Sequence, residues 1–191
     1  MKVGVLALQG AFARHIQVLN DLGAAATEVR TAGELSTVDA LVLPGGESTT
    51  MSMLLDSSGL RSTVAERIDG GMPVLGTCAG MILLAGHVAD GRPDQQSFAA
   101  IDIDVCRNGY GRQVDSFESD LDVTGLDEPF RGVFIRAPVV DRVGNGVEVM
   151  ASVDGRPVLC SQRSVVVASF HPEMSGDGRI HRRFLDMAFA A

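Results

Sequence analysis

Short apolar runs alternate with stretches of helical periodicity through the first half of the chain, and this alternation limits the possible folds more than any other feature. The predicted strands of this half are Lys2–Leu8, Ala25–Arg30, Ala40–Leu43 and Pro73–Leu75. After the first strand, Phe12, Ile16 and Leu19 fall on one face of a helix, which leaves Arg14 and His15 off that face. Such alternation is typical of βα units. We therefore expect an α/β fold, a three-layer sandwich around a mostly parallel central sheet.

The second half of the chain is richer in strands, which we expect to extend or flank the sheet. They are predicted at Ile101–Cys106, Val133–Arg136, Val147–Ser152, Pro157–Ser161 and Val165–Phe170. The polar stretch His87–Ala100 is predicted to be a surface loop, and the spacing of Ile180, Phe184 and Met187 predicts a final helix. With 191 residues, of which 46% are hydrophobic, the chain can bury one substantial core but is too short for two ordinary domains. Residues 1–191 are therefore expected to form a single domain.

Charge and cysteine content argue against several classes of function. A formal net charge of −8 at pH 7 disfavours nucleic acid and anionic membrane surfaces as partners. No apolar run reaches the roughly 20 residues of a membrane helix, and Met1–Leu8 is too short for the apolar core of a signal peptide. The three cysteines are widely spaced and form no CxxC pair. We expect a soluble cytoplasmic protein with neither a zinc site nor a disulfide framework.

The segment Gly76-Thr77-Cys78-Ala79-Gly80 lies between a predicted strand and a helical run that begins at Met81. It has the form of a nucleophile elbow, with cysteine where hydrolases of that shape place serine. A thiol at the start of a helix meets backbone N–H groups and the positive end of the helix dipole, and both favour the reactive thiolate. A buried structural cysteine in a glycine-rich turn is the alternative. A partner residue is needed to decide between the two.

His171 is the candidate partner, because it follows an apolar strand directly in the run Phe170-His171-Pro172-Glu173. A histidine there could take the thiol proton and deliver it to a leaving amine, while Glu173 holds the imidazole in one tautomer. Taken alone, His171 is more simply explained as a satisfied surface or core histidine. Together with the elbow, it favours a catalytic triad of Cys78, His171 and Glu173.

A tetrahedral intermediate also needs N–H donors for its oxyanion. The predicted donors are Gly46, in the run Pro44-Gly45-Gly46 after the third strand, and Ala79, directly after the nucleophile. The glycine run is equally explained as a tight turn, and Glu47 with the residues after it as a helix cap.

Two of these segments, Gly76–Gly80 and Ser169–Glu173, mark a broad class of enzymes, and four others are more specific: Gly4–Gly10, Leu43–Thr50, Arg107–Gln113 and Val133–Pro138. On these segments the chain resembles, over essentially its whole length, the class I (triad) glutamine amidotransferases. Within them it resembles the glutaminase subunits of pyridoxal 5′-phosphate synthase, the PdxT family. The resemblance implies a class I amidotransferase (flavodoxin-like) architecture.

The reaction that the resemblance implies is hydrolysis of L-glutamine to L-glutamate and ammonia through a γ-glutamyl thioester on Cys78, with His171 and Glu173 as the other triad members. The implied glutamine-binding positions are Gly46, Glu47, Ser48, Arg107, Ile135 and Arg136. Their backbone, carboxylate, hydroxyl and guanidinium groups suit a zwitterionic amide. An ion pair away from any site is the alternative for either arginine. Neither a metal nor an organic cofactor is required.

The resemblance also implies a partner. In the family, ammonia passes to a synthase subunit, a (β/α)8 barrel, within a large hetero-oligomer that builds pyridoxal 5′-phosphate. The glutaminase is then expected to stay weak until this subunit docks and orders the oxyanion loop at Gly45-Gly46.

The sequence departs from the family pattern at two places. Tyr110 stands where the family more often has Phe, and Phe98-Ala99-Ala100 replaces a Leu-Gly-Leu type segment, which puts the path of the His87–Ala100 loop in question. Cys106 and Cys160 match no family role and are expected to be structural.

Two alternative functions remain open. The first is ammonia supply to another synthase, such as the one that makes imidazole glycerol phosphate. The second is a non-catalytic, redox-sensing thiol at the elbow.

Overall fold

A seven-stranded sheet runs through the centre of the molecule in the computed structural model, which describes residues 1–92, 94–107 and 116–190. Its strands, in sheet order, are β10 (Glu148–Val153), β11 (Arg156–Gln162), β12 (Val165–Ala168), β4 (Val74–Thr77), β3 (Ala40–Leu43), β1 (Lys2–Leu6) and β2 (Ala25–Val29). Neighbouring strands from β12 to β2 are parallel, and β11 and β10 continue the sheet antiparallel at one edge. The predicted mostly parallel sheet is confirmed.

Helices cover both faces of this sheet, because successive strand residues point to opposite sides. The helices are α1 (Phe12–Asp21), α2 (Ala32–Leu35), α3 (Ser48–Ser57), α4 (Leu60–Asp69), α5 (Ala79–Leu84) and α6 (Arg179–Ala190). In β3, Leu41 and Leu43 pack into one apolar core with α3, α4 and α5. Ala40 and Val42 of the same strand pack into a second core with α1 and α6. The three-layer α/β sandwich is therefore confirmed.

Two smaller sheets are formed mainly by strands from the second half of the chain. β5 (Ala85–Val88) pairs parallel with β6 (Ile101–Cys106), and β6 pairs antiparallel with β9 (Val139–Val143). β7 (Phe117–Leu121) pairs antiparallel with β8 (Phe130–Phe134). Within the described ranges, no helix has both the length and the apolar character needed to cross a membrane. Most of the Arg107–Gln113 motif, including Tyr110, lies outside the described residues.

Several predicted boundaries were wrong, each for a local reason. The His87–Ala100 stretch is not a loop throughout, since its first two residues belong to β5. β8 covers Phe130–Phe134 rather than Val133–Arg136. β7 was not predicted because charged and hydroxyl side chains occupy its middle. The start of α3 was anticipated only as a possible helix cap at Glu47, and its length was not predicted because it begins with Ser and Thr, which favour caps and turns over helix interiors.

His15 is the clearest correction within α1. The sequence pattern leaves it off the apolar face, but its side chain is completely buried. The reason is that the sheet is not the only element that covers α1. Helix α6 packs against α1, and Nδ1 of His15 lies 2.9 Å from Nε2 of His181 on α6. A helical wheel drawn for one buried face could not show this second contact.

Candidate active site

The parallel strands β1, β3, β4 and β12 end at the same edge of the sheet, and the loops after them surround a cavity of about 330 Å³. Ligands of open α/β sheets bind at this edge. The cavity is lined by Gln9, Gly10, Ala11, Gly45, Gly46, Glu47, Ser48, Cys78, Ile82, Arg107, Ile135, Arg136 and His171. Every residue predicted for the site lines the cavity except Ala79 and Glu173, which are both buried beside it.

Cys78 occupies the sharp turn between β4 and α5, with φ 49° and ψ −103°. This backbone conformation is strained for a residue other than glycine. The turn is possible because small residues flank it: a β-carbon at Gly80 would lie 2.0 Å from the carbonyl oxygen of Leu43. The Sγ atom of Cys78 lies 3.8 Å from the carbonyl oxygen of Ile135 at the cavity wall. The geometry is that of the predicted nucleophile elbow.

His171 follows β12, and Glu173 lies in the 3-10 turn Pro172–Met174 directly after it. Nδ1 of His171 and Oε1 of Glu173 are 2.8 Å apart, and the side chain of Cys78 lies close enough to the imidazole to affect its pKa. Burial disfavours a charged imidazole, but its interactions with the side chains of Cys78 and Glu173 outweigh this effect. Together they raise the pKa of His171 to about 10. The imidazole therefore carries a proton at neutral pH.

The glycine pair after β3 packs against the loop after β1. The carbonyl oxygen of Gly45 accepts a hydrogen bond from the backbone N–H of Ala11 at 3.0 Å. The backbone N–H of Glu47 donates to Oε1 of Gln9 at 3.0 Å. A trans peptide directs its N–H away from its carbonyl, so the first of these bonds fixes the direction of the Gly46 N–H. A β-carbon at Gly45 would lie 3.4 Å from Cβ of Cys78, so this segment runs beside the thiol.

Glu47 is both a helix cap and part of the cavity wall. Its carboxylate accepts the backbone N–H groups of Thr49 and Thr50 at the start of α3, and Nη2 of Arg107 donates to its Oε1 at 3.1 Å. Burial raises the pKa of Glu47, but the hydrogen bonds from Thr50 and Thr49 outweigh it and lower the pKa to about 2. The helix-cap explanation is confirmed, and the same carboxylate stays ionised beside the Arg107 guanidinium.

Two further features complete the polar wall. Oε1 of Gln95 accepts a hydrogen bond from Nη1 of Arg107 at 2.8 Å, and its Nε2 donates to Oγ of Ser48 at 3.1 Å. Arg136 has φ 44°, so a second non-glycine residue of the cavity wall, after Cys78, has the positive φ that favours glycine. Backbone strain of this kind is concentrated at functional sites.

A sequence model of the SNO glutamine amidotransferase family matches residues 5–190. The chain belongs to this family. It is 55% identical over 188 residues to the pyridoxal 5′-phosphate synthase subunit PdxT of Mycobacteroides abscessus, with 98% of this chain and 97% of the relative covered. It is 53% identical over 195 residues to the Nocardia farcinica subunit of the same name, with 99% and 86% covered. A crystal structure of a glutamine amidotransferase is similar with a TM-score of 0.92 at 48% identity, and 98% of each chain is covered.

Two side chains that organise the amidotransferase site are absent from the sequence-based set. Gln9 holds the backbone of Glu47, and Gln95 joins Arg107 to Ser48. The position of Gln9, directly after a strand and before a glycine, was an available signal. Gln95 offered none, because it lies in a polar loop where periodicity carries no information. Both are neutral amides, and each supplies hydrogen bonds to a wall that otherwise carries charges.

Proposed function

We propose that this member of the SNO glutamine amidotransferase family is the glutaminase subunit of pyridoxal 5′-phosphate synthase and hydrolyses L-glutamine to L-glutamate and ammonia. The proposal is carried by Cys78 and His171 lining one polar cavity, with His171 hydrogen-bonded to Glu173 behind it. Relatives that are more than half identical over nearly the full chain support the subunit assignment, since they bear the name pyridoxal 5′-phosphate synthase subunit PdxT.

Cys78 is the proposed nucleophile. Its Sγ forms a bond to the side-chain carbonyl carbon of glutamine, and the carbonyl π electrons move to the oxygen. His171 holds the proton of the Cys78 thiol before the attack and gives it to the leaving nitrogen as the C–N bond breaks. Ammonia departs, and a γ-glutamyl thioester remains on Cys78. We assign stabilisation of the oxyanion to the backbone N–H groups of Gly46 and Ala79.

Water completes the reaction in the second half. His171, now neutral, takes a proton from water as the water oxygen attacks the thioester carbon. The C–S bond then breaks, L-glutamate is released, and the proton stays on His171, which restores the starting state. In both halves the ionised Glu173 holds Nδ1 of His171 and stabilises the imidazolium. The steps use protein groups and water alone.

The polar wall of the cavity is the proposed binding site for the amino-acid end of glutamine. The guanidinium groups of Arg107 and Arg136 suit its α-carboxylate, because charge-assisted hydrogen bonds to carboxylates are strong. The Glu47 carboxylate and the Ser48 hydroxyl suit its ammonium group. Backbone groups of Gly46 and Ile135 are assigned to the remaining contacts. Support comes from the fact that all of these residues line one cavity.

We further propose that the ammonia passes to the synthase subunit, expected to be a (β/α)8 barrel, within a large hetero-oligomer. Docking of this partner is expected to raise the glutaminase rate by ordering the oxyanion segment at Gly45-Gly46. A cytoplasmic location and a single domain over residues 1–191 stay predictions.

The test is release of L-glutamate from L-glutamine by the chain, alone and with the synthase subunit, for the unmodified protein and two variants. Cys78→Ala is expected to abolish release and leave the fold intact. Cys160→Ala is the matched control, because Cys160 is also buried but does not line the cavity, and it is expected to retain activity.

Each outcome separates the proposal from its rivals. Retained glutaminase activity in Cys78→Ala would remove the triad assignment. Activity that does not respond to the synthase subunit would move the chain to another ammonia-using synthase. No activity under any condition would favour a redox-sensing thiol.

A further inference from the structure

A buried series of imidazoles continues the triad beyond Glu173. Oε2 of Glu173 lies 3.3 Å from Nε2 of His15, and both side chains are completely buried. Nδ1 of His15 lies in turn 2.9 Å from Nε2 of His181. Neither histidine lines the substrate cavity, and the proposed reaction uses neither as an acid or a base. Buried titratable groups in contact with a catalytic carboxylate need a physical explanation.

The carboxylate of Glu173 needs a donor at each oxygen. Burial raises its pKa, but the hydrogen bond from His171 and the charge of His171 outweigh burial and lower it, so the group is ionised. Oε1 is paired with His171. Among the described residues, no group forms a hydrogen bond of ordinary geometry with Oε2. A buried charged oxygen left without a donor is costly, and the imidazole of His15 is the polar group placed to supply one.

The proton positions on the two imidazoles follow from their surroundings. Burial lowers the pKa of both His15 and His181, so each is neutral, with one N–H and one lone pair. An ionised carboxylate only accepts hydrogen bonds, so the nitrogen of His15 that faces Glu173, Nε2, carries the hydrogen. Nδ1 of His15 must then accept, and Nε2 of His181 donates to it. The reverse assignment sets a lone pair against the carboxylate and leaves a buried, unpaired N–H at Nδ1 of His181.

His15 also contacts the turn that carries the nucleophile. Its Nε2 lies 3.2 Å from Oγ1 of Thr77, the residue directly before Cys78. One imidazole on α1 therefore touches the carboxylate at one end of the triad and the elbow at the other. Because Thr77, His15 and His181 are all completely buried, water does not compete for these contacts.

We propose that His15 is a positioning residue of the triad: its Nε2–H holds Oε2 of Glu173, and His181 fixes the tautomer that allows this. This role rests on the proposed glutaminase reaction. A carboxylate held at both oxygens cannot rotate about its Cγ–Cδ bond. Oε1 therefore stays aligned with Nδ1 of His171 while the imidazole gains and loses its proton.

Substitutions that differ only in hydrogen-bonding capacity test this role. His15→Leu removes the donor, and His15→Gln restores an N–H donor. His87, exposed on β5, supplies the matched controls His87→Leu and His87→Gln. In the complex with the synthase subunit, we expect His15→Leu to lower kcat about 10-fold or more and to change KM by less than about 2-fold, because Glu173 does not touch the substrate. His15→Gln is expected to recover most of the loss, and both controls should match the unmodified protein.

The pH profile of kcat separates positioning from a general loss of stability. The ionisable groups that face or border Glu173 are His171, His15, His181, Arg14 and Asp21. Removal of a donor disfavours the carboxylate form, so the acid limb of the profile should lie at higher pH in His15→Leu than in His87→Leu. Unchanged kcat and an unchanged acid limb in a folded His15→Leu variant would overturn the proposal.

A measurement on the unmodified chain keeps the proposal testable even where a variant does not fold. Nitrogen-15 NMR of the imidazole rings reports which nitrogen carries the hydrogen. We expect the Nε2–H tautomer at His15 and at His181, and an Nδ1–H tautomer at His15 would refute the positioning role. If the unmodified complex releases no glutamate, the proposed glutaminase function fails. The tautomer of His15 does not bear on that result, so the two failures can be told apart.

Discussion

Gly45 lies directly against the imidazole of His171: a β-carbon at position 45 would be 2.3 Å from Cε1 and 2.9 Å from Nδ1 of that ring. Atoms that are not bonded do not approach so closely, and His171 cannot move aside freely because Cys78 and Glu173 both hold it. The loop after β3 and the loop after β12 are therefore packed with no room for a side chain at position 45. The absence of a β-carbon is what allows the glycine segment to run beside the triad.

Gly45→Ala is accordingly expected to lower kcat by about 100-fold or more, because a small displacement of a catalytic group has a large effect on rate. Glutamate release by the complex is the measurement. Gly33→Ala is the matched control, since position 33 lies in α2 and the nearest atom to an added β-carbon is 4.0 Å away. A Gly45→Ala variant with the kcat of Gly33→Ala would contradict this packing.

Arg107→Met is expected to raise KM for glutamine about 10-fold or more, with a smaller change in kcat, because a hydrogen bond to a charged group contributes roughly 1.5–3 kcal/mol. Gln95→Ala should act in the same direction and more weakly, since Gln95 orients the guanidinium. Arg92→Met is the control, because Arg92 pairs with Asp94 on the surface. Steady-state kinetics of the complex distinguish these effects, and equal KM values for the Arg107 and Arg92 variants would remove Arg107 from the binding site.

The raised pKa of His171 makes the stability of the fold depend on pH. Folding moves this pKa from 6.5 up to about 10, so the protonated imidazole is the form that the fold stabilises. Its contribution is complete below pH 6.5 and is lost as the pH rises through about 10. We expect the free energy of unfolding from urea titrations to fall across this window. In Cys78→Ala the fall should begin at lower pH, because the interaction with the Cys78 side chain that raises the pKa of His171 is missing. Identical curves would show that Cys78 has no such effect.

The segment Phe98-Ala99-Ala100, which departs from the family pattern, turns at Ala99. The N–H groups of Phe98 and Ala100 donate to the carbonyl oxygens of Leu83 and Leu84 at 2.7 and 2.8 Å, and Ala99 between them has φ 49°. Ala99→Gly should relieve this strain and raise the free energy of unfolding by up to about 1 kcal/mol. Ala100→Gly, where no positive φ is needed, should lower it by about 0.5–1 kcal/mol. Urea denaturation of the two variants gives the comparison, and effects of the same sign would argue against strain at position 99.

Agreement between sequence and structure is best where local pattern decides the conformation. β3 and β6 have the predicted bounds, because one is an uninterrupted apolar run and the other alternates buried with more exposed residues. β1 and β12 each end two residues earlier than predicted, so the apolar residues just before Gln9 and His171 belong to the loops that form the site. An apolar run continues past a strand end wherever the following loop is also buried, so hydrophobicity alone overestimates such strands.

The sequence by itself determined the groups that we propose to react, because an elbow and a His-Pro-Glu run each consist of a few consecutive residues whose turn and chemistry depend on local geometry. Only the tertiary structure decided which distant groups support them. His15 and His181 are 166 positions apart, and their contact exists because α1 and α6 pack side by side on one face of the sheet. Gln95 reaches Ser48 across 47 positions because its loop lies against the start of α3. Such contacts depend on the packing of whole elements, and no local pattern of hydrophobicity or spacing encodes them.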